Sequence, residues 1–497
     1  MKKQVWTVAL VSGVLVLSGC GGGSSSSDTN LLQIPTLNPP PTPTPTPTPA
    51  PTTFFTKIVS ASLPNTEVSI SFEALNVADI NGDGKPDIVM ANGGLPGNTL
   101  IGPDVNKVPV TSNDNTTTIL LNDGTSRFKQ LNTRSTAPTG WINDFIFLKD
   151  PNGGNPYIIG IDHGREVSIS PAEQYKYISK LPVFQFKNGA IVDLTNLIPD
   201  NVKGFWHQAM QPGDLNGDGI EDFVVARMDA TNAENFAVFY GEKSSVFKKI
   251  DQFQDYAFYR APKSIWSVGS IAMVKLGTSG DLGFVALPYH TVPEYPEIEA
   301  RNADIFQYSN GSFIGTSSFP VKTSEVPIKF GYNYVQSADI NGDGLQDMIG
   351  IMETLDGSSN QHIITVMLQN SSKSFDTSFV RSNGSILLGG LDIRDGLNDS
   401  KFSLVDMNND GKLDIFLGIW FLGKPQSLSQ SLYFGDGTGK FAQDLSQSDK
   451  IFKDITWEGS ARTHVADVNN DGLGDIIVLQ DFMGQITPII FLNNGNK

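Results

Sequence analysis

A single cysteine, Cys20, occurs in 497 residues, so no disulfide can form within the chain and its loops must be stapled in another way. A metal ion is the obvious substitute. Basic side chains are scarce as well: 35 Lys and Arg stand against 52 Asp and Glu, a formal net charge of −17. This balance excludes a sequence-blind nucleic-acid binder, which needs a basic surface to displace counterions from phosphates. Charged residues total only 18%, where ~25% is usual, so long solvated helices are not expected. Neither an HExxH zinc motif nor a GxSxG nucleophile elbow is present. The run Gly418 to Gly423 with Lys424 imitates a phosphate loop until Pro425 stands where Ser or Thr must hold magnesium. Gly435 to Gly439 reads as a hairpin with no helix after it. What the chain has in quantity is turn residues, Gly 49 and Pro 29.

The N-terminus is read as an address. Lys2 and Lys3 precede an apolar run from Val5 to Leu17, too short to span a bilayer and ordered like a secretion signal over residues 1–19. Leu17-Ser18-Gly19-Cys20 resembles the lipobox of bacterial lipoproteins. That resemblance implies acylation of Cys20, a membrane contact through the lipid only, and, with Gly21 following, an outer-membrane destination in the cell envelope. Residues 20–53 are low complexity, Gly/Ser-rich and then Pro/Thr-rich. The alternating Thr-Pro pairs favour polyproline II at about 3.1 Å per residue, a semi-rigid tether whose threonines offer sites for O-glycans.

From residue 54 one nine-residue pattern, DxNxDGxxD, recurs five times, beginning at Asp79, Asp214, Asp339, Asp406 and Asp467. Each copy runs into a short apolar segment, such as Ile88-Val89-Met90 or Ile476-Ile477-Val478, which reads as a buried strand. Two worn copies fill the double-length gaps, with Lys149 and Lys275 at the first position, so seven units follow one another at steps of 61 to 70 residues. A second landmark follows each copy. In the first unit it is Leu120 to Phe128, whose Asp123-Gly124 pair suits a hairpin turn. The seventh unit stops one residue before its aromatic, while Phe54 to Val59 precede the first motif without a partner. If that opening strand completes the last unit, the sheets close into an all-β, seven-bladed β-propeller over residues 54–497 with no open edge. An open solenoid of the same units is the alternative.

These motifs resemble FG-GAP or VCBS repeats, the blades of integrin-α-like propellers and of many bacterial surface proteins. Such propellers carry unrelated activities, so the resemblance speaks to fold more than to function.

The aspartates suggest calcium, which takes six to eight hard oxygen ligands. Side-chain oxygens at the first, third, fifth and ninth positions and the carbonyl of the seventh form the expected cage. In the first copy these are Asp79, Asn81, Asp83, Lys85 and Asp87. The next are Asp214, Asn216, Asp218, Ile220 and Asp222, then Asp339, Asn341, Asp343, Leu345 and Asp347. The last two are Asp406, Asn408, Asp410, Lys412 and Asp414, and Asp467, Asn469, Asp471, Leu473 and Asp475. An EF-hand is rejected, because its twelfth position here is Met90, Val225, Gly350, Leu417 or Val478, none a chelating side chain. Asx-rich turns without an ion are the plainer alternative. Five Ca²⁺ would bring −17 to −7. The worn copies are expected to hold no ion, with Lys149 and Lys275 either filling the cation's place or pointing to water.

No catalytic residue is assigned. The histidines His163, His207, His290, His362 and His464 are scattered; His207 and His464 precede inner-strand motifs near the axis, and packed or rim positions are expected for them. Tyr289 to Tyr295, Trp420-Phe421 and Tyr332 to Tyr334 are candidate exposed aromatic loops for a sugar or a protein partner. The expected function is a binding or adhesion module for protein or carbohydrate at the cell surface. The alternatives are a polysaccharide lyase or hydrolase acting in the axial channel, and a scaffold of an outer-membrane complex.

Overall fold

The structure is a computed structural model. It describes residues 54–60, 75–91, 116–134, 142–162, 181–198, 207–227, 236–244, 247–250, 253–254, 268–278, 281–288, 302–309, 312–320, 330–355, 360–380, 401–418, 420–421, 428–457, 460–482 and 485–495. These form seven antiparallel sheets arranged as a seven-bladed β-propeller. Blade one shows the plan: Leu75–Ala78, Asp87–Ala91, Thr116–Asn122 and Phe128–Arg134 pair in chain order, and the acidic motif turns the first strand into the second.

Uninterrupted apolar runs suit these second strands because both of their faces are covered. Alternate side chains point to opposite faces of a strand. Ile88 and Met90 therefore pack with Ile477 and Leu479 of blade seven, while Val89 between them packs with Ile158 of blade two. All three are fully buried. Each such side chain contributes about 1.5 to 3 kcal/mol relative to exposure, so every second strand ties two neighbouring blades. The worn blades two and four follow the same pairing, through Ile142–Leu148 with Tyr157–Asp162 and Val268–Leu276 with Asp281–Pro288.

The ring closes as expected. Phe55–Val59 pairs antiparallel with Gln485–Asn493, from Phe55 opposite Asn493 to Val59 opposite Ile489. The Asn494 amide donates to the Phe54 carbonyl at 3.0 Å, and the Ser60 amide donates to Pro488 at 3.0 Å. Phe55 also stacks on Phe452 with centroids 6.4 Å apart. Phe452 ends a helix, Leu445–Phe452, whose first turn is capped by Asp444 accepting the Gln447 amide at 3.0 Å.

That helix corrects one expectation, since a helix does follow the Gly435 to Gly439 turn. The turn is nonetheless a hairpin: Asp436 donates its amide to the Lys440 carbonyl at 3.0 Å, and strand Phe441–Ala442 intervenes before the helix. Two sheets also carry a fifth strand. Trp420–Phe421, expected as a loop, pairs with the first strand of blade seven, Ser460–Ala466. Phe253–Gln254 lies parallel to the last strand of blade four. Tyr332 to Tyr334 is not an exposed loop either. It belongs to Phe330–Ala338, the first strand of blade five, and Tyr332 is buried in the core there.

Candidate functional site

The five acidic loops share one internal hydrogen-bond scheme. In blade one the first aspartate, Asp79, accepts the amides of Gly82 at 2.8 Å and Asp83 at 3.2 Å on Oδ1, and that of Gly84 at 2.7 Å on Oδ2. Asn81 Oδ1 accepts the Asp83 amide at 2.8 Å, and Asp83 Oδ1 accepts the Lys85 amide at 3.0 Å. Oδ2 of the first aspartate takes the sixth-position glycine amide in every copy, through Asp214, Asp339, Asp406 and Asp467. Short Asx side chains can reach their own backbone in this way, which is why Asp and Asn recur here. The fourth position always has positive φ; it is glycine at Gly82, Gly217 and Gly342, and asparagine at Asn409 (59°) and Asn470 (61°).

The ninth aspartate does something the spacing alone did not reveal. Asp87, Asp222, Asp347, Asp414 and Asp475 have no exposed surface. Their Oδ2 accepts the second-position amide, from Ile80, Leu215, Ile340, Met407 and Val468, at 2.9 to 3.2 Å. Their Oδ1 accepts an amide at the end of the third strand, from Asn122, Gly241, Gln369, Gly435 and Asn493, at 2.8 to 3.0 Å. One carboxylate thus locks the loop to the third strand. Burial pushes these acids up, Asp87 to about 6 and Asp222, Asp414 and Asp475 to about 7, with the other loop aspartates adding to the rise. Asp347 moves in the same direction.

The donors fit a hard cation in kind: carboxylates, an amide oxygen and the seventh-position carbonyl, at Lys85, Ile220, Leu345, Lys412 and Leu473. They do not yet stand in position. Among the described residues no group of three or more His, Cys, Asp or Glu side chains converges to hold a metal. In four copies the third-position amide group, of Asn216, Asn341, Asn408 or Asn469, donates to the fifth carboxylate at 2.9 to 3.4 Å. The lysine heads of Lys85 and Lys412 lie 4.0 Å from Asp83 and Asp410, exposed pairs of small energetic weight.

Blades two and four lack the locking carboxylate, with Tyr157 and Gly283 in its place. The Lys149 side chain is 86% exposed with its ammonium 3.8 Å from Glu221 Oε1 of the next blade, and Lys275 is exposed. Their backbone amides are held by the next blade, Lys149 by Glu221 Oε2 at 2.6 Å and Lys275 by Gln346 Oε1 at 2.7 Å.

A second constellation joins the first strands at the axis. Asp144 of blade two forms an ion pair with Lys401, just before the first strand of blade six, at 2.6 Å. The Lys401 ammonium lies 6.0 Å from the ring centroid of Tyr334 in blade five. Gln336 Nε2 donates to the Tyr334 hydroxyl at 2.9 Å. His464 of blade seven feels the charges of both members of the pair; burial, then Lys401, pulls it down to about 4 despite Asp144. Burial likewise pushes the Tyr334 phenol up, and Asp144 adds to it. Asn76 of blade one reaches in through its Nδ2, which donates to the Phe145 carbonyl at 3.3 Å. Bulges between Ile142 and Asp144 and between Tyr332 and Tyr334 re-aim the strands where these side chains leave them.

Cys20 and the tether, Tyr289 to Tyr295, His163 and His290 lie outside the described residues. For His207, His362, Trp420 and Phe421 only the backbone is described.

The family model described as FG-GAP-like repeat matches residues 406–478, and the one described as FG-GAP repeat matches residues 72–105. No curated protein matches the chain. Among solved structures it is similar to BBS1N in a crystal structure with ARL6DN, soaked with lead, at 8% identity and a TM-score of 0.42, covering 89% of this chain and 97% of that one. It is also similar to the exotype rhamnogalacturonan lyase YesX, at 12% identity and a TM-score of 0.39, covering 85% of this chain and 61% of that one. Likenesses this distant carry no argument about function.

Proposed function

Because the chain is an FG-GAP-repeat β-propeller, we propose that it serves as a calcium-stabilised binding and adhesion module of the cell envelope, with a protein or carbohydrate ligand. It is held to the outer membrane by a lipid on Cys20. The observation that carries the calcium part is the fivefold acidic loop. Three carboxylates per nine residues, one of them fully buried, repel one another, and a divalent ion relieves that repulsion. Binding requires the third-position amide to turn its oxygen inward in place of its nitrogen. The ion then supplies a staple between loop and blade that the lone cysteine cannot.

Two experiments test the reading. Chelation with EGTA is expected to lower the melting temperature, and no shift would remove calcium from the account. Glycan arrays and envelope pull-downs, with and without calcium, are expected to return a ligand. Silence in both would remove the binding role.

One observation favours a second reading, an enzyme acting on polysaccharide in the axial channel. Asp144, Tyr334, Lys401 and His464 lie near one another on the inner sides of blades two, five, six and seven, away from the acidic loops. Turnover of a polysaccharide, lost on substitution of His464, would establish it.

A further inference from the structure

Asparagine followed by glycine is the pair most open to spontaneous loss of the side-chain amide, because the glycine nitrogen has no neighbouring β-carbon to shield it as it attacks the asparagine Cγ. The described residues contain six such pairs, beginning at Asn81, Asn152, Asn188, Asn216, Asn341 and Asn494. Asn92, Asn310 and Asn383 also precede glycine and lie outside the described residues. The reaction needs the glycine nitrogen to give up its proton. The partner of that proton therefore decides which pair reacts.

In the acidic loops the partner is a carboxylate. The Gly82, Gly217 and Gly342 amides donate to Oδ1 of the first aspartate, Asp79, Asp214 and Asp339 in turn, each at 2.8 Å. An amide anion formed there would face that negative charge, so ionisation is opposed. The asparagine side chain is tied as well, its oxygen accepting the fifth-position amide at 2.8 to 3.0 Å. Two other pairs are held by neutral acceptors. Gly153 donates to the Asp150 carbonyl at 2.9 Å, and Gly495 donates to Asn493 Oδ1 at 2.9 Å.

Asn188-Gly189 has no such guard. It is the two-residue turn between the third and fourth strands of blade two, Val183–Lys187 and Ala190–Asp193, with Lys187 opposite Ala190. Both turn residues have positive φ, 53° and 81°, the arrangement of a type I′ hairpin. Among the described residues the Gly189 amide finds no acceptor, and a Cβ placed on Gly189 would meet no atom within 4 Å. Asn188 and Gly189 are both exposed, so water reaches the pair.

We propose that Asn188 is the one of these six asparagines that deamidates spontaneously in the folded protein. The Gly189 nitrogen loses its proton to water and bonds to Asn188 Cγ. The Cγ–Nδ2 bond breaks with its electron pair, and Nδ2 takes a proton back from water and leaves as ammonia. Water then opens the five-membered imide at either carbonyl, giving aspartate or isoaspartate with no oxidant or reductant. Either product adds a negative charge to the hairpin tip. Isoaspartate also inserts the side-chain carbon into the backbone, changing the turn length that sets the register of the two strands.

The test is peptide mapping by mass spectrometry of the full chain aged in EGTA below its melting temperature, beside a sample aged unfolded in guanidinium chloride. In the folded sample isoaspartate is expected at Asn188 at least about ten-fold faster than at Asn81, Asn216 or Asn341, the least that a hydrogen bond to a charged acceptor confers. In the unfolded sample the six pairs are expected to react at similar rates. Asp79→Ala is expected to bring Asn81 up toward the rate of Asn188, with a melting curve showing that the variant folds. If it does not fold, the wild-type comparison of folded and unfolded samples decides alone. No product at Asn188 in the folded chain, product in the acidic loops as fast as at Asn188, or the same rank order in both samples overturns the proposal. An intact Asn81 in folded Asp79→Ala overturns the guarding role of the carboxylate.

Discussion

The carboxylate of Asp87 accepts the backbone amide of Asn122 at 2.8 Å, joining the acidic loop of blade one to a strand end 35 residues later. The same acid holds the Ile80 amide at 3.2 Å, and four other blades repeat both contacts. Loop and third strand are therefore mutually dependent.

Removing such an acid leaves two buried amides without acceptors. Asp414→Ala is expected to destabilise the chelated protein by about 3 kcal/mol, since each orphaned donor costs roughly 1 to 3 kcal/mol. The fifth-position Asp410→Ala, in an exposed part of the same loop, is expected to cost under ~1 kcal/mol without metal and to weaken the response to calcium. Urea midpoints of the two variants measure the difference. Equal losses would show that the ninth aspartate has no special structural role.

The amides that reach the locking acid in blades three and six belong to glycines. A Cβ on Gly435 would lie 2.1 Å from the Leu413 carbonyl oxygen, and one on Gly241 would lie 2.4 Å from that of Glu221. Backbone cannot swing away as a side chain can, so Gly435→Ala is expected to cost about 2 to 3 kcal/mol. Gly84→Ala meets nothing within 4 Å and suffers only from its φ of +81°, about 1 to 2 kcal/mol. Thermal unfolding of the pair separates collision from backbone strain.

The pH response has a definite sign. In EGTA the buried acids are raised from 3.8 to about 6 at Asp87 and about 7 at Asp222, Asp414 and Asp475, so between those values the folded state holds more protons than the unfolded state. The stability they contribute is present at low pH and is lost as pH rises through about 6 to 7. Calcium replaces those protons, so its stabilisation is expected to grow over the same range, reaching about 2.7 kcal/mol per site at a hundredfold excess over Kd. Scanning calorimetry at pH 5.5 and 8, with calcium or EGTA, checks both slopes. A calcium effect independent of pH would separate the ion from these acids.

Closure depends on Phe55, buried against Phe452. Phe55→Ala is expected to cost about 3 to 5 kcal/mol and to expose the edge of Gln485–Asn493. Hydrogen exchange of the Ile489 to Asn493 amides reads this directly, and unchanged protection would refute the role of Phe55 in sealing the ring.

The repeating parts of this fold were legible because few residue types meet their demands. A loop that folds on its own side chains needs Asp, Asn and Gly, and a strand buried on both faces shows an apolar run such as Ile88-Val89-Met90. The unpaired Phe54 to Val59 segment likewise foretold the closing strand. The axial cluster was hidden for the opposite reason. Asp144, Tyr334 and Lys401 each stand five residues before the first motif position of their units and His464 stands three before, but the residue type at that place changes from unit to unit, so no repeat marks it, and only closure of the ring brings them together. Tyr332 was misread because an aromatic at the start of an inner strand has the same composition as a loop aromatic. The helix Leu445–Phe452 is only eight residues long with five of them polar, too little periodicity to stand out beside Gly437 and Gly439.

Thr56 donates to Asn494 across 438 positions of chain. During translation the opening strand is therefore among the first parts of the propeller to leave the ribosome, and its partner among the last. Until that partner arrives both strand edges are open to other chains. A chain halted before its last strand is therefore at its most aggregation-prone one step short of completion.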